Sequence, residues 1–366
     1  MSAPTDAPVV ASEEQARVKP VHIWAVIGAL FLALEVYVWI KWVSGPYFTE
    51  VPSGPDDPPM YMKVPLVANA VLVWVGLPVG IWFIVIRPWL RERRITLDAM
   101  LFAGTGLMFF QDPLLNYFNT WCTYNTWLFN RGAWTSEIPG WVSPEEPGLQ
   151  VPEPILTNAP GYAIGVLMLT IAGCAIMRLI KRRWPGITNM RLILVTYAIA
   201  FVFDFVMEAL VLLPTGLYTY PGAIRELSFN AGTYYQWPIY EGFLWGGVQT
   251  ALCCLRYFTD DRGRTVVERG LDRVKAGFAQ TQLARFLAIT GACSMCFLVF
   301  YNVPVQWFGM HADPWPKDHT DRSYFTGGIC GQDSRAGDVP CPDPKLPIPT
   351  KRSGYVNTDG QLVMPK

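Results

Sequence analysis

The sequence predicts an all-α, polytopic membrane protein: a bundle of seven transmembrane helices with structured aromatic outer loops. Composition is the first observation behind this fold class. Only 16% of the 366 residues are charged and 51% are hydrophobic, whereas soluble domains are about a quarter charged. The second observation is that the apolar residues form seven runs, each at or above the roughly 20 residues that span the hydrocarbon core of a membrane. These runs cover approximately residues 22–44, 64–87, 96–120, 160–181, 190–213, 237–258 and 283–307.

The third observation is that the basic residues alternate between successive loops. The loops after the second, fourth and sixth runs carry four, five and six Lys or Arg, whereas the loops after the third and fifth carry only Arg131 and Arg225. Lys and Arg accumulate in short cytoplasmic loops. The alternation therefore predicts an integral protein of a bacterial-type cell membrane, with a cytoplasmic N-terminus and an extracytoplasmic C-terminus.

Both ends of the chain differ from the predicted membrane domain at residues 21–310. Residues 1–20 are polar and rich in Pro, Ala and Glu, which predicts a disordered cytoplasmic tail. Residues 311–366 are rich in Pro, Gly and Asp, which predicts an irregular extracytoplasmic tail. This tail contains Cys330 and Cys341. A disulfide between them is an expectation if the tail lies outside the cytoplasm, and the sequence alone leaves that pairing open.

Two of the predicted outer loops have an unusual composition. Residues 116–141 and 229–246 are crowded with Trp, Tyr and Phe, with Asn threaded between them. An aromatic belt at the membrane interface explains the aromatic residues, but it does not require asparagines. We therefore favour a structured cap that covers a cavity.

The fifth run carries two carboxyls at membrane depth. Asp204 and Glu208 are four residues apart and so share one helix face. A charge at this depth costs several kcal/mol and marks a functional candidate. Counting about 1.5 Å per residue places Asp112 of the third run and Glu241 of the sixth at the same level, in the outer half. Glu35 of the first run lies at a similar depth, and its role stays open between a site and a structural contact.

These positions predict a polar cavity in the outer half of the bundle. Because no Lys or Arg stands at membrane depth beside them, the carboxyls are candidates for general acid–base catalysis. The candidate catalytic residues are Asp112, Asp204, Glu208 and Glu241. Asp112, Asn116 and Asn119 fall at i, i+4 and i+7, which predicts one helix face. The candidate substrate-contacting residues are Asn116, Asn119, Trp237, Tyr240 and Asn302. The alternative is that these polar groups only join helices by hydrogen bonds.

Several function classes lack their sequence signals. The three histidines, His22, His311 and His319, lie outside the helix interiors, which argues against bis-His haem and di-iron sites. Glycine-rich phosphate loops and Ser nucleophile elbows are absent from the sequence. The net charge of +0 gives no indication of a nucleic-acid partner. We therefore expect proton chemistry on a small apolar substrate in the bilayer, without a metal ion or cofactor.

Four segments of the sequence resemble a known family. They are FQDPLLNYFNTWCTYNTWLFNRGAW, EIPGW, DFVMEALVLLPTGLYTYPGA and YQWPIYEGFLWG, and they are similar to blocks of the spirocyclase (AveC-like) family, whose named member acts in avermectin biosynthesis. The resemblance runs over roughly residues 21–310. It implies a membrane cyclase that forms a spiroketal from a dihydroxy-ketone, polyketide-like substrate, sometimes with dehydration. It carries over no catalytic residues, so the candidate site rests on the depth argument.

The residues leave other functions open. A cyclase or isomerase acting on a terpenoid or lipid would use the same acids. A proton-coupled transporter or small-molecule binding protein also uses intramembrane carboxylates, although a transporter should have polar groups in both halves of the bilayer. A structural membrane subunit would use the aromatic loops as a docking face. The substrate, the assignment of acid and base, and the oligomeric state are not given by the sequence.

Overall fold

The computed structural model describes residues 19–141, 151–271 and 277–330, residue 341, and the backbone at 355–356 and 362–363. Most of the two predicted tails therefore lies outside the described residues. The seven predicted apolar runs all fall on helices. These helices are α1 (Pro20–Ser44), α2 (Met60–Glu92), α3 (Leu97–Met108), α4 (Ile155–Arg183), α5 (Asn189–Thr215), α6 (Ile239–Tyr257) and α7 (Phe278–Gly309).

Five of these helices, namely α1, α2, α4, α5 and α7, are long and apolar enough to cross a membrane. The other two differ in physical character. Helix α3 has only 12 residues, and α6 is largely buried among its neighbours. The structure thus supports a helical membrane protein, and the count of seven crossing helices is not confirmed.

The predicted third span is the one segment whose helix ends early. The α-helical bonding of α3 ends at Met108, and the chain continues in two 3₁₀ turns at Phe109–Gln111 and Pro113–Asn116. Pro113 has no N–H with which to continue the α-helical ladder, so the backbone tightens to i→i−3 bonds. The prediction that Asp112, Asn116 and Asn119 share one face of a regular helix is therefore wrong.

The arginine-rich loops meet at one end of the bundle, which we call the arginine end. The Arg256 guanidinium, at the end of α6, binds Asp98 at the start of α3 with two bonds of 2.8 Å. Arg285 donates to the Ile95 carbonyl at 3.3 Å. Val21, at the start of α1, donates its backbone N–H to the Arg269 carbonyl. The loops grouped by sequence as one side are thus grouped in space, while the side of the membrane they face stays a prediction.

The opposite end is covered by what we call the cap, residues 117–141, 213–238 and 311–330. Two small antiparallel ladders lie in it: β1 (Thr123–Tyr124) with β2 (Tyr218–Thr219), and β3 (Ser228–Phe229) with β4 (Trp237–Pro238). A further ladder pairs β5 (Tyr355–Val356) with β6 (Leu362–Val363). Two one-turn helices, α8 (Lys317–Thr320) and α9 (Ser323–Thr326), pack into the cap. Residues 311–330 thus contain two short helices, and many of their side chains are buried.

Asparagine side chains hold the cap together, which explains why they are threaded through the aromatic loops. The Asn125 amide donates to the Gly216 carbonyl at 3.1 Å, and the Asn130 oxygen accepts from Val51 N–H at 2.9 Å. Two of the cap tryptophans, Trp121 and Trp134, are fully buried. The structure also joins Cys330 and Cys341 in a disulfide, the pairing that the sequence left open.

Four of the long helices contain π-helical turns, at residues 81–86, 162–166, 205–212 and 298–302. A π-helical turn is rare, and such turns are found often at functional sites. Three of these four segments, at 162–166, 205–212 and 298–302, contribute side chains to the lining of the cavity described next. The turn at 205–212 contains Glu208.

Candidate active site

A cavity of about 450 Å³ lies beneath the cap, between α2, α4, α5, α6 and α7. All four carboxyls that the sequence singled out line it: Asp112, Asp204, Glu208 and Glu241. Five tyrosines line it as well: Tyr124, Tyr162, Tyr218, Tyr220 and Tyr301. The predicted convergence of acids from separate helices is therefore present in the structure, while their chemical role stays a prediction.

Glu208 is held by neutral donors from the cap. The Tyr218 hydroxyl donates to Oε1 at 2.6 Å, and the Tyr220 hydroxyl donates to Oε2 at 3.0 Å. The Trp237 indole N–H donates to Oε2 at 3.2 Å. Burial raises the pKa of both tyrosines well above the ordinary value, and the charge of Glu208 raises it further, so the phenols stay protonated and keep donating. Three donors on one carboxyl are the environment that an ionised carboxylate needs.

Asp204 and Glu241 stand beside Glu208 in the cavity. One oxygen of each of the three carboxyls lies within 4.8 Å of one oxygen of the others. Glu241 Oε1 accepts from the Tyr301 hydroxyl at 3.1 Å. Among the described residues, no donor group outside the three carboxyls reaches Glu241 Oε2 or Asp204 Oδ2, both of which are buried. Three ionised carboxylates at such distances repel one another strongly away from water. We infer that Asp204 and Glu241 share one proton between them, while Glu208 is ionised.

Asp112 forms a second acid group in the same cavity. Its two oxygens accept from the Tyr124 hydroxyl at 2.6 Å and from the Tyr162 hydroxyl at 2.5 Å. Glu153, from the segment just before α4, is buried and hydrogen-bonds the Asp112 carboxyl. Burial raises the pKa of Glu153 well above its usual range, and the negative charge of Asp112 raises it further. Because a hydrogen bond between two carboxyls requires a proton on one of them, Glu153 carries that proton.

The β1–β2 ladder joins the two acid groups. Its register pairs Tyr124 with Tyr218, and directly opposed residues in a ladder point to the same face. Their rings lie 5.9 Å apart. One tyrosine of the pair binds Asp112 and the other binds Glu208. A backbone element of the cap therefore fixes the spacing between the two acid groups across the cavity.

The cavity reaches the side of the bundle as well as the cap. Met168 of α4 and Phe203 of α5 both line it and are 41% and 44% exposed. Gly161 and Gly165 also line it, and a Cβ added at either would meet nothing within 4 Å. The gap between α4 and α5 is thus open toward the face where a membrane protein meets lipid.

The residues predicted to contact a substrate lie around the cavity and are absent from its described lining. The Asn116 oxygen accepts from Cys122 N–H, and the Asn119 oxygen accepts from the Trp315 indole. The Asn302 amide donates to the Gln111 carbonyl, and the Tyr240 hydroxyl accepts from Ile224 N–H. The Trp237 indole N–H donates to Glu208. These contacts hold the walls of the site, and a contact with substrate stays a prediction for all five residues.

Sequence reasoning missed the tyrosines and Glu153. Tyr218 and Tyr220 have the i, i+2 spacing that directs two side chains of an extended segment to one face, which was a usable signal. Glu153 lies among prolines outside the apolar runs. Its depth in the membrane therefore cannot be counted from the start of a helix. Glu35 is fully buried in α1, and within the part of the chain that the structure describes neither of its carboxyl oxygens has a hydrogen-bond partner. It is absent from the described lining of the cavity.

Comparison with known proteins identifies a family. The family model described as "Spirocyclase AveC-like" matches residues 92–325, more than half of the chain. The match begins at the last residue of α2 and ends within α9, so it includes residues 311–325 of the cap, which the sequence resemblance left out. All four cavity carboxyls and all five cavity tyrosines fall within the matched residues. No curated protein and no solved structure matches the chain.

Proposed function

Because the chain belongs to the spirocyclase AveC-like family, we propose that it is a membrane-embedded cyclase that closes a spiroketal from a dihydroxy-ketone, polyketide-like substrate. The observation that carries this proposal is the cavity in which oxygens of Asp204, Glu208 and Glu241 lie within 4.8 Å of one another. Spiroketal closure needs a proton donor, a proton acceptor and a stabilised cation. The three carboxyls can each take one of these roles.

In the first half of the reaction, one substrate hydroxyl adds to the ketone carbon. Glu241, protonated and with a free Oε2, donates a proton to the ketone oxygen as the new C–O bond forms. Asp204 takes the proton that the attacking hydroxyl loses. The product of this half is a cyclic hemiketal, and one proton has moved from one carboxyl to its neighbour.

In the second half, the hemiketal hydroxyl leaves as water. A proton returns from Asp204 to that hydroxyl, its C–O bond breaks, and an oxocarbenium ion forms. Glu208 is a fixed anion beside this cation, and its charge is held in place by three donors, so it stabilises the charge where it develops. The second substrate hydroxyl then bonds to the cationic carbon and gives its proton to Glu241. The site returns to its starting state, with one water released.

The second acid group suits the other end of the same substrate. Asp112 with Tyr124 and Tyr162 offers acceptors and donors for a hydroxyl. Because the β1–β2 ladder fixes its distance from Glu208, it would orient the second nucleophile toward the reacting carbon. Asp112 is thus proposed as the orienting acid and Asp204 as the base.

Two other functions, a different cyclase or isomerase and a proton-coupled transporter, also use intramembrane acids. A cyclase or isomerase for a terpenoid or lipid would use the same acids, and only the choice of substrate separates it from a spirocyclase. A proton-coupled transporter would need exchangeable carboxyls along the whole path. At the arginine end the described buried acid Glu268 is instead paired with Arg285 at 2.6 Å. This contrast favours an enzyme with a one-sided site. The proposed orientation places the cap and the cavity on the extracytoplasmic side.

The test is conversion of a synthetic dihydroxy-ketone by the purified protein in lipid nanodiscs, followed by mass spectrometry and chiral chromatography. Spontaneous closure gives a background and a mixture of stereoisomers, so the expected result is faster closure to one stereoisomer. Glu241→Gln should reduce the enzymatic rate by about 10²- to 10⁴-fold, the range for loss of a general acid. Asp260→Asn, an exposed carboxyl at the arginine end, is the matched control and should retain full activity.

A chelator arm separates proton chemistry from a cation bound by the three carboxyls. Activity that survives extensive treatment with EDTA supports the acid–base proposal. Activity that disappears with EDTA and returns with a divalent cation replaces it with metal-assisted closure. A wild-type rate and stereochemistry equal to those of empty nanodiscs, with several dihydroxy-ketones, would reject a spirocyclase.

A further inference from the structure

A second, narrower groove continues from the cavity along the side of the bundle. It has a volume of about 140 Å³ and lies between α4 and α5, with α6 as its floor. Four residues line both spaces: Leu169, Phe203, Asp204 and Trp245. The groove therefore begins at the acid group and runs away from the cap, toward the arginine end.

The walls of the groove are apolar and small. Ala172 and Gly173 of α4 face Ala200 of α5 across it, and Ile176 and Ile199 extend the walls farther along. Small residues at these positions leave room between the helices that larger side chains would fill. The space is a slot between two helices and not a loosely packed region of the core.

Thr196 and Gln249 of the groove form hydrogen bonds, but two oxygens at the groove have no donor on them among the described residues. The Thr196 hydroxyl donates to the Leu192 carbonyl of its own helix at 2.8 Å. The Gln249 amide donates to the Thr170 hydroxyl at 3.0 Å, which leaves Gln249 Oε1 as a buried acceptor without a partner. The groove is thus an apolar slot that ends at a carboxyl, Asp204, whose Oδ2 is also unpartnered.

We propose that this groove binds the hydrocarbon chain of the substrate. The substrate is then an amphiphile, with its ketone and hydroxyls among the acids and an unbranched apolar tail lying between α4 and α5. The inference rests on the proposed function and adds the substrate class. Continuity with the cavity favours a substrate tail over a bilayer lipid chain, because the groove leads directly to Asp204 and a lipid chain gains nothing from a carboxyl at its end.

The first test varies the length of the tail. Two dihydroxy-ketones with the same reacting groups are compared, one with a tail of about eight carbons and one with a methyl group in its place. Ala200→Trp fills the groove and should raise KM for the long substrate about 10-fold or more, since each buried methylene contributes to binding. It should leave KM for the short substrate unchanged. Val202→Trp is the matched control on the same helix, because Val202 is exposed and outside the groove.

Equal effects of Ala200→Trp on both substrates would overturn the proposal while leaving the spirocyclase in place. Failure of the wild-type protein to convert either substrate would instead count against the proposed function. The two failures are therefore distinguishable. Ala172→Phe enters the same groove from α4 and repeats the test if Ala200→Trp does not fold.

The second test reads binding without turnover. A long-tailed dihydroxy-ketone with a diazirine at the tail end is photolysed in nanodiscs, and the labelled peptides are identified by mass spectrometry. Labels on α4 and α5 near Ile176 and Ile199, competed by the unlabelled long substrate, support the groove. Labels there that are displaced only by a change of bilayer lipid would show that a lipid chain occupies it, and labels confined to other helices would also overturn the proposal.

Discussion

The carboxyls at the two ends of the bundle have different kinds of partner: arginines at one end and neutral donors at the other. At the arginine end, Glu268 is fully buried against Arg285 at 2.6 Å, and Asp98 binds Arg256 through two bonds of 2.8 Å. Under the cap, three of the four cavity acids, Asp112, Glu208 and Glu241, are bound by tyrosine and tryptophan donors. Within the described residues, no Lys or Arg hydrogen-bonds or ion-pairs with them.

This difference separates acids that stabilise the fold from acids that are available for chemistry. A carboxylate beside a guanidinium is neutralised and held, and removal of either partner leaves a buried charge uncompensated. A carboxylate among neutral donors keeps its charge and its capacity to exchange protons. The same residue type therefore predicts loss of stability at one end and loss of activity at the other, and mutations test the contrast directly.

The largest expected effect is at the acid end. Glu208→Gln removes the fixed anion and should lower the rate of spiroketal closure by about 100-fold or more, in the range for a lost electrostatic stabiliser. The unfolding temperature should be unchanged or higher, because one of three repelling acids is gone. Closure assays and thermal unfolding in detergent measure both quantities. A variant that unfolds at markedly lower temperature while keeping its activity would assign Glu208 to the fold.

The complementary change is at the arginine end. Arg285→Met leaves Glu268 buried without its partner and should cost about 3–5 kcal/mol of stability. Activity per folded molecule should stay at the wild-type level, since neither residue lines the cavity. Thermal unfolding and closure rates normalised to folded protein check this. Recovery of stability in the double variant Arg285→Met, Glu268→Met would confirm that the cost comes from the unpaired charge, whereas no recovery would contradict it.

A smaller effect is expected for the donors that hold Glu208. Tyr218→Phe removes a hydroxyl bond of 2.6 Å and keeps the ring in the β1–β2 ladder. Loss of one hydrogen bond to a charged group should reduce the closure rate by about 10- to 100-fold. Tyr197→Phe, which removes a hydroxyl bound to the Phe243 carbonyl on the outer side of α5, is the matched control. Equal closure rates for Tyr218→Phe and Tyr197→Phe would show that the Tyr218 hydroxyl does not contribute to the reaction.

The last expected effect is the pH dependence of the stability of the cap. His319 is fully buried, with Nε2 beside the Thr219 hydroxyl at 3.1 Å. Burial lowers its pKa to about 3, Asp318 opposes this shift, and Arg322 adds to it. In the unfolded chain the ring binds a proton near pH 6.5. Its contribution to stability is therefore present above pH 6.5 and lost as the pH falls toward 3, by at most about 1.4 kcal/mol per pH unit.

Unfolding temperatures of wild type and His319→Gln between pH 8 and pH 4.5 measure that contribution. The difference between the two proteins isolates His319 from other groups such as Glu153, whose raised pKa acts in the opposite direction. The wild-type advantage should shrink as the pH falls below 6.5. An advantage that is constant over this range would mean that His319 binds its proton equally well in the folded protein.

Much of the fold and the placement of the acids could be predicted from the sequence, because a membrane imposes a simple geometry. Helix rise converts a residue number into a depth, so Asp112, Asp204, Glu208 and Glu241 could be assigned to one level before any packing was known. Loop charges grouped the three basic loops at one end for the same reason.

The rest depended on tertiary contacts that have no period in the sequence. Tyr124 and Tyr218 are far apart in the chain and meet only through a two-residue ladder. Glu153 reaches Asp112 from an irregular segment. The apolar run continues past Pro113, so the sequence predicted a helix longer than α3, although a proline in a helix interior interrupts the α-helical hydrogen bonds. The hydrophobicity of a segment indicates whether it lies in the membrane or the core. Backbone hydrogen bonding determines the residue at which its helix ends.

The register of the β1–β2 ladder makes the length of the cap loops a functional quantity. Side chains in a strand alternate between faces, so a slip by one residue turns every side chain to the opposite side. A single insertion before Thr123 or after Thr219 that shifted the ladder would move the Tyr124 and Tyr218 hydroxyls away from Asp112 and Glu208 together. Natural variation in this region should therefore change residue types more readily than residue numbers.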